Sequence, residues 1–507
     1  MSNGNLTNGQ QSGNTVLSKS IAFVFFGQVI PLLVGIFSVR LLFPVLGTAR
    51  FGVLTLVWAL IGYAGMFEFG IGRALTKRIT EKIGENKQQE IVPLFWTSMA
   101  LLLTLGCIGS ALLGFFKDSL VLRVLNVPKE LQSEVMDAFA VAAWAFPFVV
   151  CTAGLRGTLE AHHQFARVSL IQSMTGIYMF SSPLVICIIS TNLGLITLAL
   201  VCGRIFGLVG YAWSCFNIFP TLAGNIRPQK EAFQSLWTFS VWISAANIPN
   251  PLMVYLDRFV IGTLLSVSVV AYYTTPFDVI TKLWIIPSSI VTVLFPAFST
   301  SFMFDKVRCV DLLKKSIRYS LAVLLPICFL LIALAKEGLS LWLGQEFSNS
   351  SFFIVYILSI AVLINSLAHI PSAFIQGIGR PDLTTKLSLI QFPIYVPILF
   401  FLTKEWGIVG VAVAWAFRVS FDFVALVVVS RRLLPGVSLP MALVYLASPV
   451  LAASIAIGIL PMNIFWKVGS SVSMAILIIL VEWIYLLDVS DRELVKHRIQ
   501  PLMQLIR

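Results

Sequence analysis

The feature that most constrains the fold is a series of long apolar runs along almost the whole chain. Of the 507 residues, 58% are hydrophobic and only 11% are charged, whereas roughly 25% of residues are charged in an average soluble domain. Since lipid offers the backbone no hydrogen bonds, a membrane-spanning segment must be a helix or a strand of a closed barrel. The runs are too long and too uniformly apolar for alternating barrel strands. An all-α integral membrane protein is therefore predicted.

Each crossing of the bilayer needs a helix of about twenty apolar residues. The apolar runs therefore predict about fourteen transmembrane helices. Their predicted positions are 20–43, 52–75, 92–116, 134–156, 167–190, 193–217, 235–264, 268–298, 315–335, 352–378, 384–403, 407–430, 441–461 and 464–487. The connections between these spans are short, so no soluble domain is large enough to be an enzyme.

The distribution of basic residues predicts the orientation of the chain. If the N-terminus lies in the cytoplasm, the even-numbered connections and both termini carry 23 of the 35 lysine and arginine residues, and the outside connections carry eight. Cytoplasmic loops of membrane proteins are enriched in lysine and arginine. A multi-pass protein with both termini in the cytoplasm is therefore predicted. The net charge of +12 reflects these loops, and no nucleic-acid partner is expected.

The chain contains an internal repeat. The segment from Gly194 to Arg204 resembles the segment from Gly407 to Arg418, and Arg40 matches Arg258 at nearly the same offset. Parallel repeats of this kind usually bind substrate between the halves, near the membrane midplane. The sequence thus predicts a transporter with two parallel six-helix repeats around a central cavity, plus two C-terminal helices. The predicted segments are a disordered cytoplasmic tail 1–18, an N-terminal bundle 19–218, a C-terminal bundle 219–434, two extra helices 435–488 and a cytoplasmic tail 489–507.

Motifs of common enzyme classes are missing from the sequence. It contains no Walker A, HExxH or GxSxG sequence, so ATP hydrolysis, metalloprotease and serine-hydrolase chemistry are unsupported. His162 and His163 have no further ligands beside them, and the seven cysteines are scattered without CxxC spacing. No catalytic residue, metal site or cofactor is predicted, and the chain is not expected to be an enzyme.

Several segments resemble a known family. They are Val39-Arg40-Leu41-Leu42-Phe43-Pro44, Phe67-Glu68-Phe69-Gly70-Ile71-Gly72, Leu256-Asp257-Arg258-Phe259 and Leu294-Phe295-Pro296-Ala297. Together they resemble the polysaccharide (O-antigen type) flippases of the multidrug/oligosaccharidyl-lipid/polysaccharide (MOP) exporter superfamily. The resemblance covers nearly the whole chain and implies two six-helix bundles around a V-shaped central cavity.

The same resemblance implies an activity and its partners. The implied activity is the flipping of an undecaprenyl-diphosphate-linked oligosaccharide across the bacterial cytoplasmic membrane, by alternating access driven by ions or by the membrane potential. The implied partners are this lipid-linked glycan, membrane lipids, H⁺ or Na⁺ as the coupling ion, and polysaccharide polymerase machinery.

Basic residues within the predicted spans suggest where an anionic cargo binds. A charge at the centre of a membrane helix costs about 2.5–3.5 kcal/mol on insertion scales, so it usually faces a cavity or a partner. Arginine offers forked donors that suit phosphate oxygens. The hypothesis is that five residues form a cationic substrate-binding cavity: Arg40, Arg204, Arg258, Lys282 and Arg418. The aromatic faces of Trp144, Trp284 and Trp415 are candidates for stacking on sugars, with packing as the alternative.

Structural alternatives remain open for several of these residues. The long side chain of Arg40 can reach the membrane interface from the end of its span. Lys282 and Arg418 each have an aspartate four positions away on the same helical face, and each such pair can neutralise itself.

Three acidic residues are candidates for ion coupling, namely Glu68, Asp278 and Asp422. Burial can raise the pKa of a carboxyl group and let it exchange protons near neutral pH. Glu68 is the most interesting of the three because Arg73, five positions on, points elsewhere on a continuous helix. Two glycines in the same segment also permit the helix to bend.

Two other functions compete with the flippase. A cation-coupled multidrug exporter would share the fold, but a cationic cavity disfavours organic cations. A membrane-embedded polysaccharide polymerase or glycosyltransferase normally needs a large extracytoplasmic loop, and the longest predicted outside connection, 117–133, is short. A polymerase or glycosyltransferase function would also leave the internal repeat unexplained.

Overall fold

The computed structural model describes residues 5–223, 249–437 and 441–485. The first part of the span predicted at 235–264 and the tail predicted at 489–507 lie outside these ranges. Every regular element within the ranges is helical. The α-helices are α1 Asn5–Ala64, α2 Ile71–Gly84, α3 Ile91–Ser119, α4 Gln132–Ala143, α5 Ala145–Ala161, α6 Phe165–Ile189, α7 Leu193–Ile218, α8 Pro249–Leu264, α9 Val267–Ile280, α10 Ile285–Phe304, α11 Lys306–Ala333, α12 Ala335–Leu343, α13 Gln345–Gly377, α14 Pro381–Leu433, α15 Met441–Ile459 and α16 Ile464–Tyr485.

These helices confirm the predicted all-α membrane fold. Within the described ranges, nine helices are long and apolar enough to cross a membrane, or up to ten if a bent pair counts as one span. Each of the predicted spans overlaps a described helix, and the structure is consistent with fourteen spans, although that exact count remains a prediction. Helix α1 begins at Asn5, inside the segment predicted as a tail, and the limits of that tail also remain a prediction.

Single glycines break the two longest helices. Gly47 in α1 has φ 69° and ψ 174°, and Gly407 in α14 has φ 59° and ψ −139°. Glycine adopts positive φ readily because it has no Cβ. The rings of Phe43 and Phe51, on either side of Gly47, meet edge to face with their centroids 5.6 Å apart. Each long helix is therefore two helices joined at a tight turn, as predicted from the gap between the spans at these positions.

The two arms of α14 pack against each other as an antiparallel hairpin. A Cβ atom at Gly410 would lie 1.9 Å from the carbonyl oxygen of Leu402, so only glycine permits this approach of the arms. Further from the turn, the guanidinium of Arg418 lies 5.8 Å from the ring centroid of Tyr395. Beyond that pair, Gln391 donates a hydrogen bond to Asp422. The glycine turn thus fixes a register that pairs these residues across the hairpin.

The span predicted at 52–75 is interrupted rather than continuous. Helix α1 ends at Ala64 and a 3₁₀ turn covers Gly65–Glu68. Phe69 and Gly70 then have φ of 44° and 69° before α2 begins. The bend expected from the glycines is present, and it is sharp because two consecutive residues adopt the left-handed conformation.

The chain divides into two compact units, Met1–Ala271 and Tyr272–Arg507. Unit 1 includes α8, because the α3–α4 connection holds the end of that helix. The backbone amide of Asn126 donates to the carbonyl of Gly262 at 2.8 Å, and its side-chain amide donates to the carbonyl of Leu265 at 2.6 Å. The predicted bundles 19–218 and 219–434 are defined by the internal repeat of the sequence rather than by compactness, and their limits remain a prediction.

Close helix packing within unit 1 depends on small residues. A Cβ atom at Gly106 would lie 2.6 Å from the Cα of Pro147, and one at Gly157 would lie 2.8 Å from the carbonyl oxygen of Gly72. In lipid, helices associate through van der Waals contact and hydrogen bonds rather than through the hydrophobic effect. Glycine serves this purpose because it lets backbones approach each other.

A buried ion pair joins α16 to α12 in unit 2. The Nζ atom of Lys467 lies 2.7 Å from the Glu337 carboxylate and donates to the carbonyl of Gly458 at 2.8 Å. Lys467 is 1% exposed. The positive-inside pattern treats Lys467 as a charge of an outside connection, whereas the structure buries it in the first turn of α16 because a carboxylate from another helix pairs with it.

We expect Gly410→Ala to lower the unfolding free energy by about 1–3 kcal/mol, since the added methyl group overpacks the hairpin against a backbone carbonyl. Thermal unfolding of the detergent-purified protein measures the change. Gly469→Ala is the matched control, because nothing lies within 4 Å of a Cβ at that position, and it should leave stability unchanged or slightly raised. Equal stabilities of the two variants would contradict the packing described for α14.

We expect Lys467→Met to lower the unfolding free energy by roughly 3 kcal/mol, because it leaves the Glu337 carboxylate without its cation. The double variant Lys467→Met/Glu337→Leu should recover most of this loss in the same thermal assay. Lys404→Met, at an exposed lysine, is the control and should change stability by less than about 0.5 kcal/mol. A single variant as stable as this control would show that the ion pair contributes nothing.

Candidate functional site

A buried arginine of unit 1 lies beside an aromatic cluster. Arg258 in α8 is 4% exposed, and its Cζ atom lies 5.3 Å from the ring centroid of Tyr255, three positions earlier on the same helix. The ring of Tyr63 in α1 packs edge to face on Tyr255 with centroids 5.3 Å apart. Asp257, which is fully buried, interacts electrostatically with Tyr63, as does Arg258. These residues form a polar cluster between α1 and α8.

Arg204 of α7 interacts electrostatically with the same tyrosine, Tyr255. Its Nε atom is buried and has no hydrogen-bond partner, and within the described ranges the side chain forms no ion pair. An N–H group buried without an acceptor costs roughly 1–3 kcal/mol, and more when it is charged. Arg204 and Arg258 of unit 1 therefore both interact with Tyr255, and Arg204 remains a candidate for binding an anion.

Arg418 is the corresponding buried cation of unit 2. Its Nε and Nη1 atoms are buried and have no hydrogen-bond partner within the described ranges, and its guanidinium carbon lies 5.8 Å from the ring centroid of Tyr395. A cation over an aromatic face gains about 0.5–2 kcal/mol. The tyrosine stabilises the charge of Arg418 but leaves its N–H donors unused.

The predicted neutralising pair of Arg418 and Asp422 does not form directly. Asp422 accepts a hydrogen bond of 2.6 Å from Nε2 of Gln391, and it interacts with Arg418 only electrostatically. No ion pair joins the two in the part of the chain that the structure describes. The hairpin of α14 brings Gln391 to the carboxylate, which the spacing of charges along one helix does not reveal.

Arg204 and Arg418 thus share three properties. They occupy matching positions of the internal repeat, they lie in different units, and each has a buried guanidinium nitrogen that lacks an acceptor. Each unit thus has an arginine with a buried guanidinium nitrogen that finds no acceptor among the described residues, although buried donors are normally satisfied. A guanidinium is chemically suited to bind an oxyanion.

The other two predicted cations lie elsewhere. Arg40 is exposed on α1, although its repeat partner Arg258 is buried. Lys282 is also exposed, in the 3₁₀ turn Thr281–Trp284, and forms no ion pair among the described residues. Among the described residues no hydrogen bond, ion pair or ring contact joins either of them to the arginine–tyrosine clusters, and their role in substrate binding remains a prediction.

The predicted coupling residue Glu68 lies in a charged cluster at the break between α1 and α2. It interacts electrostatically with Arg156, Arg73 and Glu160, and Arg156 lies 3.4 Å from Glu160. The helical spacing behind the expectation that Arg73 points away from Glu68 does not apply, because the left-handed residues between them end that helix. Asp278 is half-buried in α9, and its coupling role remains a prediction.

The candidate sugar-stacking tryptophans have different environments. Trp415 is fully buried, and its ring centroid lies 5.2 Å from that of Phe277 and 6.4 Å from that of Trp284. Its faces are therefore used in packing, although the Nε1 atoms of Trp415 and Trp284 have no acceptor. Trp144, at the junction of α4 and α5, is 68% exposed and keeps a face available.

Sequence reasoning missed three polar residues of these clusters. Tyr255 precedes Arg258 by three positions, a spacing that places two side chains together on a helix, so it was available as a signal. Tyr395 and Gln391 depend on the hairpin register of α14. Among the described residues, no group of three or more His, Cys, Asp or Glu side chains could hold a metal ion.

The sequence and the fold were compared with those of known proteins. The chain is 29% identical over 408 residues to a putative O-antigen transporter of Shigella flexneri, which covers 80% of this chain and 95% of that relative. Its fold is similar to that of the lipid II flippase MurJ in an inward closed conformation, with a TM-score of 0.71 at 13% identity over 96% of this chain and 99% of the other. It is also similar to an inward-facing multidrug resistance MATE family transporter of the MOP superfamily, with a TM-score of 0.68 at 16% identity over 83% and 96%.

These relatives are named transporters and flippases rather than enzymes, as the sequence predicts for this chain. The fold that the resemblance to MOP superfamily exporters implies is confirmed, and the protein is a multi-pass membrane protein. The model of the polysaccharide biosynthesis protein family matches residues 17–302, more than half of the sequence. The chain belongs to the polysaccharide biosynthesis protein family and has the fold of the MOP superfamily transporters.

Proposed function

We propose that the protein flips an undecaprenyl-diphosphate-linked oligosaccharide across the bacterial cytoplasmic membrane by ion- or potential-driven alternating access. The observation that carries this proposal is that the repeat-related arginines Arg204 and Arg418 each have a buried nitrogen without an acceptor in the part of the chain that the structure describes. The similarity to a putative O-antigen transporter supports a glycan as the cargo.

A lipid-linked diphosphate suits these arginines chemically. It carries at least two negative charges, and each phosphate oxygen accepts hydrogen bonds from the planar fork of a guanidinium. At low dielectric such charge-assisted bonds are strong, but they form only if the protein leaves the arginines without carboxylate partners. Among the described residues Arg204 forms no ion pair with a carboxylate. Arg418 forms none either, because the Asp422 carboxylate accepts its hydrogen bond from Gln391.

The same arrangement disfavours export of organic cations, although the fold is shared with a multidrug resistance transporter. Organic cations bind to acidic or aromatic groups, and an arginine without an ion pair repels them. The buried arginines in both units therefore favour an anionic cargo over the organic cations that a multidrug exporter carries.

Orientation and coupling complete the proposal. The bias of basic residues toward alternate connections supports a cytoplasmic location for both termini. Glu68 is the proposed site of coupling to H⁺ or Na⁺, because it is half-buried at a helix break where two arginines interact with it. Asp278 and Asp422 are further coupling candidates, and polysaccharide polymerase machinery is a proposed partner.

Deletion in the native host, followed by identification of the lipid that accumulates on the cytoplasmic side, tests the function directly. An undecaprenyl-diphosphate-linked glycan should accumulate. Accumulation of an organic cation, with normal surface glycan, would contradict the proposed cargo.

We expect Arg204→Gln and Arg418→Gln each to lower export roughly tenfold or more, since each removes a charge-assisted hydrogen bond to the cargo, worth about 1.5–3 kcal/mol. Glycan export by complemented deletion cells, normalised to the amount of protein in the membrane, measures the effect. Arg432→Gln, at an exposed arginine of α14, is the control and should export normally. Export at the wild-type level by both test variants would refute their role in anion binding.

We expect Glu68→Gln to abolish the response of transport to an imposed pH or Na⁺ gradient, because the amide neither binds nor releases a proton and coordinates cations weakly. Flipping by the purified protein in vesicles with a set gradient measures this response. Glu85→Gln, at an exposed glutamate after α2, should leave it unchanged. A Glu68→Gln protein that responds to both gradients like the wild type would remove Glu68 from the coupling mechanism.

A further inference from the structure

The Asp422 carboxylate accepts its hydrogen bond from Gln391 rather than from the nearby arginine. Asp422 lies one helical turn after Arg418, where opposite charges ordinarily attract each other, and the low dielectric of a membrane protein strengthens that attraction. Nevertheless the carboxylate accepts a 2.6 Å hydrogen bond from Gln391, and two buried nitrogens of Arg418 have no acceptor among the described residues. The structure therefore satisfies the carboxylate with a neutral amide from the other arm of the hairpin.

We propose that Gln391 is a positioning residue that holds the Asp422 carboxylate away from Arg418 and so keeps the guanidinium available for an oxyanion of the cargo. This inference rests on the proposed function, because it assumes an anionic cargo. Gln391 acts through Asp422 and Arg418 and need not touch the cargo itself.

The choice of glutamine fits this role. Its side-chain NH₂ donates a hydrogen bond to a carboxylate without bringing a positive charge, so it restrains Asp422 and adds no second anion-binding group. Gln391 is 4% exposed, which protects the hydrogen bond from competition by water. The turn at Gly407 and the close approach at Gly410 set the register of the α14 hairpin, and this register places Gln391 opposite Asp422.

Tyr395 stabilises the charge of Arg418 in place of a carboxylate. Its ring lies 5.8 Å from the guanidinium carbon of Arg418 and stabilises the positive charge through the π face. Arg418 is thus stabilised by Tyr395 and forms no ion pair with Asp422 among the described residues. Its buried Nε and Nη1 atoms have no acceptor there, so these donors are available for phosphate or carboxylate oxygens.

The decisive experiment measures binding of undecaprenyl diphosphate, without sugars, to the purified full-length protein in nanodiscs. Four variants are compared with the wild type: Gln391→Leu, Arg418→Gln, Asp422→Asn and the double variant Gln391→Leu/Asp422→Asn. We expect Gln391→Leu to weaken binding roughly tenfold, nearly as much as Arg418→Gln, because Asp422 then pairs with Arg418. Asp422→Asn should bind at least as tightly as the wild type, and the double variant should match Asp422→Asn.

Recovery in the double variant distinguishes positioning from a merely structural role. If Gln391→Leu weakens binding only by disturbing the hairpin, removing the Asp422 charge does not restore affinity, and the inference is overturned. Gln376→Leu is the control, since Gln376 is an exposed glutamine that bonds to Ser372 and should not affect binding. Wild-type affinity in Gln391→Leu, with weak binding in Arg418→Gln, overturns the inference but leaves the proposed function intact.

A second arm identifies the source of the oxyanion. Free glucuronate, a sugar carboxylate, is titrated in parallel with undecaprenyl diphosphate. Loss of diphosphate binding in Arg418→Gln assigns Arg418 to the lipid carrier, whereas loss of glucuronate binding alone assigns it to an acidic sugar of the glycan. If Arg418→Gln changes neither affinity, both the inference and the anion-binding role of Arg418 fail, while Arg204→Gln still tests the proposed function separately.

Discussion

Lipid provides no hydrogen-bond partners, and this constraint governs every level of the structure. It forces the backbone into helices, and it makes each buried polar side chain depend on a partner from within the protein. Lys467 has such partners in Glu337 and the carbonyl of Gly458. Buried nitrogens of Arg204 and Arg418 have no such acceptor among the described residues. This difference is the basis of the proposal that these two arginines bind the cargo.

The glycine turn in α14 determines which polar side chains meet across the hairpin. At Gly407 the chain reverses within a single residue, and Gly410 lets the returning arm lie directly against the carbonyl of Leu402. Because helices have a fixed rise per residue, a register set at the turn persists along both arms. Tyr395 therefore meets Arg418, and Gln391 meets Asp422, several turns away from the glycines. The local conformation of one residue thus controls the electrostatics of a distant arginine.

The sequence predicts those features that depend on residues near each other along the chain. Apolar runs identify the helices, and the gaps at Gly47 and Gly407 mark the turns. The repeat likewise identifies Arg204 and Arg418 as related positions before any contact is known. These predictions succeed because bilayer thickness and backbone hydrogen bonding leave few alternatives.

Predictions that depend on contacts between segments fare differently. The i,i+4 spacing suggests that Asp422 neutralises Arg418, but Gln391 from the other arm takes the carboxylate. The spacing of Glu68 and Arg73 predicts that they diverge on a helix, but the positive φ values at Phe69 and Gly70 end that helix, and the two residues interact electrostatically. In each case a turn changes which polar groups interact, and the spacing along one helix does not show it.

An arginine that must bind a transported anion faces two opposing requirements. A carboxylate partner would stabilise it in the membrane but would compete with the cargo for the same in-plane donors, and a buried ion pair is costly to break. Without any partner, the charge would destabilise the helix. An aromatic face resolves the conflict, because it attracts a cation without being an anionic competitor for the cargo. Arg418 has such a contact, since its guanidinium carbon lies 5.8 Å from the ring centroid of Tyr395. A tyrosine can therefore remain in place while an anion binds and leaves, which a carboxylate at the same distance could not do.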